Sequence, residues 1–137
     1  MTLTQQTMTD EQRKSVALEY FKLMDQGNPA FLELFAEDAQ FYFPKMGMAT
    51  GIEEIKKLLF ESGRGPKLKS ITHDYAYFNY IFQGDTVVVE GTSSGVTTNG
   101  KEWRAGFTHA GRFCNVFEIR DYKINRLFIY LDPDYEN

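Results

Sequence analysis

Two histidines, an asparagine and a glutamate carry most of the chemistry this chain has to offer. His109 and Asn115 interrupt one face of the alternating run Trp103–Ile119. Read with a period of two, that face is Trp103, Ala105, Phe107, His109, Gly111, Phe113, Asn115, Phe117 and Ile119. The other face, from Glu102 and Arg104 to Glu118, is mixed and mostly wet. A polar side chain on an apolar strand face costs free energy unless something satisfies it, and a lined cavity would do so. An imidazole beside a carboxylate makes a general base, because the carboxylate holds the tautomer and raises the basicity of the ring. The same pairing also makes a plain cross-strand ion pair. Asn115 offers a hydrogen bond either to a ligand oxygen or to the backbone. His73, near the start of another strand, reads as a rim or structural histidine. Two histidines without carboxylates at ligand spacing are a poor metal signature, so no metal is expected. The single cysteine, Cys114, permits no internal disulfide and reads as an inert thiol.

These side chains need elements to place them. Thr9 and Asp10 are helix N-cap types, and Val16, Ala17, Tyr20, Phe21 and Met24 recur at helical spacing as far as Gly27. Asn28-Pro29 restarts a helix carrying Phe31, Leu32, Leu34 and Phe35. Gln40–Phe43 reads as a short strand ended by Pro44. Thr50-x-x-Glu53 reads as a capping box opening a third helix, which the Gly63–Pro66 stretch ends. From Ile71 the pattern predicts four strands, separated by Gly84-Asp85, by the strong hairpin signal Asn99-Gly100, and by Asp121-Tyr122. Helices followed by an antiparallel meander make an α+β fold. At about 3.3 Å per residue Trp103–Ile119 would exceed ~50 Å, longer than a domain of this size, so Gly106 and Gly111 are expected to bend it. A bent sheet has a concave side.

Turn arithmetic then gathers one face. Two-residue turns place Glu90 opposite His109, Thr92 opposite Phe107 and Val96 opposite Trp103. They also place Asn79 opposite Glu90, Tyr77 opposite Thr92, Phe128 opposite Asn115 and Tyr130 opposite Phe113. His73, Tyr75, Asp132 and Arg126 fall on the same face. Tyr75, Tyr77 and Tyr80 read as core or interface.

The 137 residues suit a single domain, with 1–8 a frayed tail. A net charge of −4 without a basic cluster gives no reason to expect nucleic acid. No apolar run approaches a membrane span and no signal peptide is evident, so a cytoplasmic protein is the default and no membrane partner is expected.

The segments YFKLMDQG (Tyr20–Gly27), FLELFAEDA (Phe31–Ala39), GIEEI (Gly51–Ile55) and VFEIRDYKI (Val116–Ile124) carry a resemblance that runs from about Asp10 to Pro133. Together with the element order, the chain resembles the nuclear-transport-factor-2-like (NTF2-like) superfamily. That group includes SnoaL-like polyketide cyclases, ketosteroid isomerases, scytalone dehydratases and limonene epoxide hydrolases. The resemblance implies a cone-shaped, curved antiparallel sheet wrapped around a three-helix layer, an α+β barrel with a hydrophobic pocket. It implies a homodimer formed through the sheet, a small hydrophobic molecule as ligand, and no cofactor. Activity by this analogy is isomerisation, cyclisation or dehydration of a small carbonyl compound by acid–base chemistry. The alternative within the same fold is a non-catalytic ligand binder or dimeric scaffold.

Tyr20 matches the oxyanion-donating tyrosine of the ketosteroid isomerases, and Asn115 falls where they keep a protonated aspartate. Phe43 occupies the place of their proton-shuttling aspartate and cannot move a proton. A base must then come from His109, Glu90, His73 or Asp132. The expected catalytic group is His109 with Glu90, Tyr20 and Asn115. The expected ligand walls are Phe43, His73, Tyr75, Trp103, Phe107, Phe113, Phe128, Tyr130 and Asp132.

Overall fold

A computed structural model describes residues 7–63 and 67–132. Residues 1–6 of the expected tail and most of the Gly63–Pro66 breaker lie outside the described residues, whereas Met8 is buried and its sulfur accepts a bond from the Tyr122 N–H. Helix α1 (Asp10–Asp25) opens with a capping box, Thr9 and Gln12 satisfying one another's backbone N–H. A 3-10 turn (Pro29–Leu34) follows, capped by the Asn28 side chain. The remaining elements are β1 (Phe35–Phe43), β2 (Gly47–Thr50), α2 (Ile52–Phe60), β3 (Leu68–His73), a 3-10 turn (Tyr75–Tyr77), β4 (Asn79–Gln83), β5 (Thr86–Thr97), β6 (Glu102–Arg104), β7 (Arg112–Arg120) and β8 (Lys123–Leu131).

The expected first strand is longer than Gln40–Phe43. It starts at Phe35 and pairs in parallel with β8, and it folds back into β2, which the sequence reading missed. The capping box at Thr50 does not form. Gly51 is the N-cap, with φ +87°, and Glu54 rather than Glu53 reaches back to the Thr50 N–H.

The sheet runs β2-β1-β8-β7-β5-β3, with β4 and β6 also bonded to β5. Strand β5 organises it. Its first half pairs with β4 and β7, and its second half with β3 and β6. The 3-10 turn Tyr75–Tyr77 interrupts one edge and the 105–111 loop interrupts the other. Both breaks lie opposite Gly91–Ser93, so the sheet creases along one line there. Gly106 and Gly111, with φ +88° and +110°, do bend the long run as expected.

The crease and one bulge change the register. Across β5 and β6, Gly95 rather than Val96 faces Trp103. Beyond the loop, Glu90 faces Cys114 rather than His109, and Thr92 faces Arg112 rather than Phe107. Asn79 does face Glu90. Tyr77 lies in the 3-10 turn and faces no strand residue. At the last hairpin Asp121 and Tyr122 both take positive φ, and Asn125 is an extra residue held by bonds from its amide to the Arg120 and Lys123 carbonyls. Asn115 therefore faces Ile129, and Tyr130 faces Cys114. That one-residue shift turns Phe128, Tyr130 and Arg126 to the outer side.

The inner face buries Val87, Val89, Phe113, Phe117, Ile119, Leu127 and Ile129 against Phe21, Phe31, Phe35 and Ile55. On the outer face, Met48, Tyr42, Phe128, Val116, Val88 and Ile81 form one apolar row across six strands. Arg126 and Glu118, 3.7 Å apart, flank that row.

Candidate active site

The concave side encloses a cavity of about 450 Å³, the size of ordinary small-molecule sites. Tyr20, Phe21, Phe31, Phe43, Phe60 and Phe113 form aromatic walls, while His73, Ser93, Asn115, Arg112 and Asp132 supply polar groups. Of the expected site residues the fold therefore brings together Tyr20, Asn115, Phe43, His73, Phe113 and Asp132.

His73 ends β3 at the crease. Its Nδ1 lies 2.6 Å from Asp25 Oδ1. A carboxylate only accepts, so Nδ1 carries a proton and, in the neutral ring, Nε2 is the nitrogen left with a lone pair. Asp25 holds the same residue twice, because Oδ2 accepts the His73 backbone N–H at 2.9 Å. The Tyr75 hydroxyl donates to Oδ2 as well. Burial and the Asp25 carboxylate push the Tyr75 hydroxyl well above its ordinary pKa, so it remains a donor. Phe21 and Phe113 pack edge-on to the imidazole, with centroids 4.9 and 5.1 Å away. The histidine side chain is 12% exposed. A partly buried imidazole fixed by a carboxylate has the arrangement of a general base.

Asp25 went unnoticed in the sequence because a polar residue on an amphipathic helix reads as solvated. One signal was available. An acid as the last residue of a helix opposes the macrodipole and needs a compensating partner.

Tyr20 projects from α1 with its ring 5.4 Å from that of Phe21, and it packs edge-on to Phe31, Phe35 and Phe117. Burial, with a lesser effect from Asp25, raises its hydroxyl pKa strongly, so it stays protonated and able to donate. Asn115 lines the cavity from β7. Its Oδ1 is buried with no hydrogen-bond partner among the described residues. Leaving such an acceptor unmade costs about 1–3 kcal/mol, an expense that sites retain more readily than cores do.

The other expected site residues sit elsewhere. His109 lies in the 105–111 loop with its side chain 46% exposed, its Nε2 4.0 Å from Asp132 Oδ2. The loop removes it from strand register, which is why Glu90 is not its partner. Glu90 points outward, 3.5 Å from the Asn79 amide. Phe107 is 78% exposed in the same loop, stacked under Arg104. Trp103 is buried behind the cavity rather than on its wall, and Tyr75 braces Asp25 from outside it. Phe128 and Tyr130 face outward for the register reason above. Ser93, Ile129 and Leu131 are cavity residues that sequence reasoning missed, the last two because the Asn125 bulge is invisible in a turn dipeptide.

Among the described residues no three His, Cys, Asp or Glu side chains are grouped to hold a metal ion, and no helix is long and apolar enough to cross a membrane.

The SnoaL-like domain family matches residues 17–127, and the chain belongs to that family. No curated protein is a recognisable sequence relative. Among solved structures the fold is similar to a candidate isomerase from Bacillus subtilis, at 22% identity over 93% of this chain and 92% of that one, with a TM-score of 0.72. It is similar to TerC, co-crystallised with polyporic acid, at 20% identity over 88% and 92%, TM-score 0.70. A candidate polyketide cyclase from Xanthomonas campestris pv. campestris also matches, at 16% identity over 89% and 91%, TM-score 0.70. At these identities the likeness is one of fold, the NTF2-like α+β cone.

Proposed function

We propose that this SnoaL-like protein is an acid–base catalyst acting on a small, largely apolar carbonyl compound, with His73 as the base. The observation that carries the reading is the His73–Asp25 bond of 2.6 Å on the wall of an aromatic cavity. His73 Nε2 would take a proton from a carbon beside the substrate carbonyl. The charge then moves to the carbonyl oxygen, where the Tyr20 hydroxyl and the Asn115 amide N–H donate to it. Return of the proton at another carbon gives isomerisation, and loss of a β-oxygen substituent gives elimination. The aromatic walls exclude water and favour planar, apolar substrates.

The test needs no knowledge of the natural substrate. Solvent deuterium incorporation next to the carbonyl of a panel of cyclic ketones is followed by NMR. Exchange by the wild type and its loss in His73→Asn, with the melting temperature kept, supports the reading. If no ketone exchanges, or if the variant exchanges as well as the wild type, the alternative of a non-catalytic ligand binder stands.

A homodimer through the outer sheet face belongs to the same proposal. A two-fold axis parallel to the strands, between β7 and β8, would lay Phe128 of one copy over Val116 of the other and Arg126 over Glu118, so the apolar row and its charged flank are both self-complementary.

A further inference from the structure

Ser93, on β5, faces His73 directly across the β3–β5 pair and lines the same cavity. Its Oγ accepts a bond from the Trp103 indole N–H at 3.2 Å. That contact is built into the backbone. Trp103 lies opposite Gly95, and a Cβ on Gly95 would meet the indole Cη2 at 2.2 Å and the Ser70 carbonyl at 2.3 Å. The indole therefore lies across the bare backbone of Gly95, which delivers its N–H two residues along the same face to Ser93. Both Trp103 and Ser93 are buried, so the pair is shielded from bulk water.

A hydroxyl whose lone pair takes an N–H becomes a stronger donor, because the two bonds polarise each other. With its acceptor side occupied by Trp103, the Ser93 O–H has the cavity as the space to donate into. We infer that Ser93, polarised by Trp103, is a specificity-determining donor that binds a second oxygen of the ligand beside His73. This rests on the reading of the cavity as a ligand site, and it narrows the ligand class. One oxygen is held by Tyr20 and Asn115. Another is held by Ser93, across the β3–β5 pair from His73. Val89 faces Asn115, and Ser93 lies four residues further along β5. That separation is about 13 Å of strand at ~3.3 Å per residue, partly closed by side chains converging on a concave face. The ligand is therefore an elongated aromatic or alicyclic compound with oxygen at both ends, rather than a simple ketone.

The test compares 2-naphthol with 2,6-dihydroxynaphthalene, which differ by one terminal oxygen. Affinities are measured by calorimetry, with quenching of Trp103, the only tryptophan, as a second readout. The wild type should bind the diol about tenfold more tightly, the worth of one satisfied hydrogen bond. Ser93→Ala should shrink that ratio to within about twofold while leaving the affinity for 2-naphthol unchanged, and Trp103→Phe should shrink it in part. Failure of either naphthol to bind, a ratio that survives in Ser93→Ala, or an equal weakening of both ligands overturns the inference. Proton exchange is not read in this experiment. A diol preference that depends on Ser93 in a protein that exchanges no proton removes the acid–base reading alone.

Discussion

The two histidines of this protein each lie near an aspartate, and the comparison between them separates an enforced, shielded arrangement, the one proposed as a base, from a surface contact. His73 and Asp25 meet at 2.6 Å with side chains 12% and 10% exposed. His109 and Asp132 are 4.0 Å apart with both side chains nearly half exposed. In the first pair the carboxylate is held by three donors and the ring is wedged between phenylalanines, so one tautomer and one orientation are enforced. In the second, solvent screens the charges across a 4.0 Å separation, so this contact supplies little energy and little direction. Residue type and proximity to an acid do not make a base. Enforced geometry in a dry site does.

The largest effect expected of any single change is on turnover. His73→Asn should lower proton exchange by about 10²-fold or more, the usual share of a positioned base, whereas His109→Asn should leave it within about twofold. Comparable losses in the two variants would dissolve the contrast. Asp25→Ala comes next. It strips the acceptor from three donors and should cost about 3 kcal/mol in denaturant unfolding. Asp132→Ala, by contrast, should stay within ~0.5 kcal/mol. The outer face offers a control that should not touch the site. Val116→Arg should convert the proposed dimer to a monomer by light scattering, with exchange retained.

A smaller effect appears at high pH. Folding raises the Tyr20 hydroxyl above its ordinary 10.0, so the folded state resists its ionisation. Its contribution to stability is complete below pH 10.0 and falls as pH rises from there, because the unfolded chain then gives up the proton more readily. The melting temperature of Tyr20→Phe should therefore fall less steeply than that of the wild type between about pH 10 and 11.5.

Much of the fold was legible because local chemistry and global structure agree. Thr9 caps α1, Gly27 ends its run with a positive φ, and the three turn dipeptides all lie between strands. The curvature was readable too, from a strand too long to stay straight and from Gly106 and Gly111. Site geometry was less legible, for two reasons. The 105–111 loop takes up residues that alternate like a strand, so period-two counting carried His109 onto a face it does not occupy. Asp25 depends on a contact with β3, 48 residues away, that no local pattern reports. Tyr20 and Phe43 were placed by family resemblance and Asn115 by strand alternation as well, and all three line the cavity.

The bulge at Asn125 decides which side chains of β8 line the lumen. Taken into the ladder as a regular pair, Asn125 would leave the β7–β8 pairing set by the Asp121-Tyr122 turn unshifted, and β8 would present Phe128 and Tyr130 to the lumen in place of Ile129 and Leu131. The lumen would gain two aromatic rings, one of them a phenol, and the outer face would lose two members of its aromatic surface. A hairpin of this length without the bulge would thus enclose a different solvent, whereas loss of Asn125 itself would leave Arg126 opposite Glu118 and the lumen as it is.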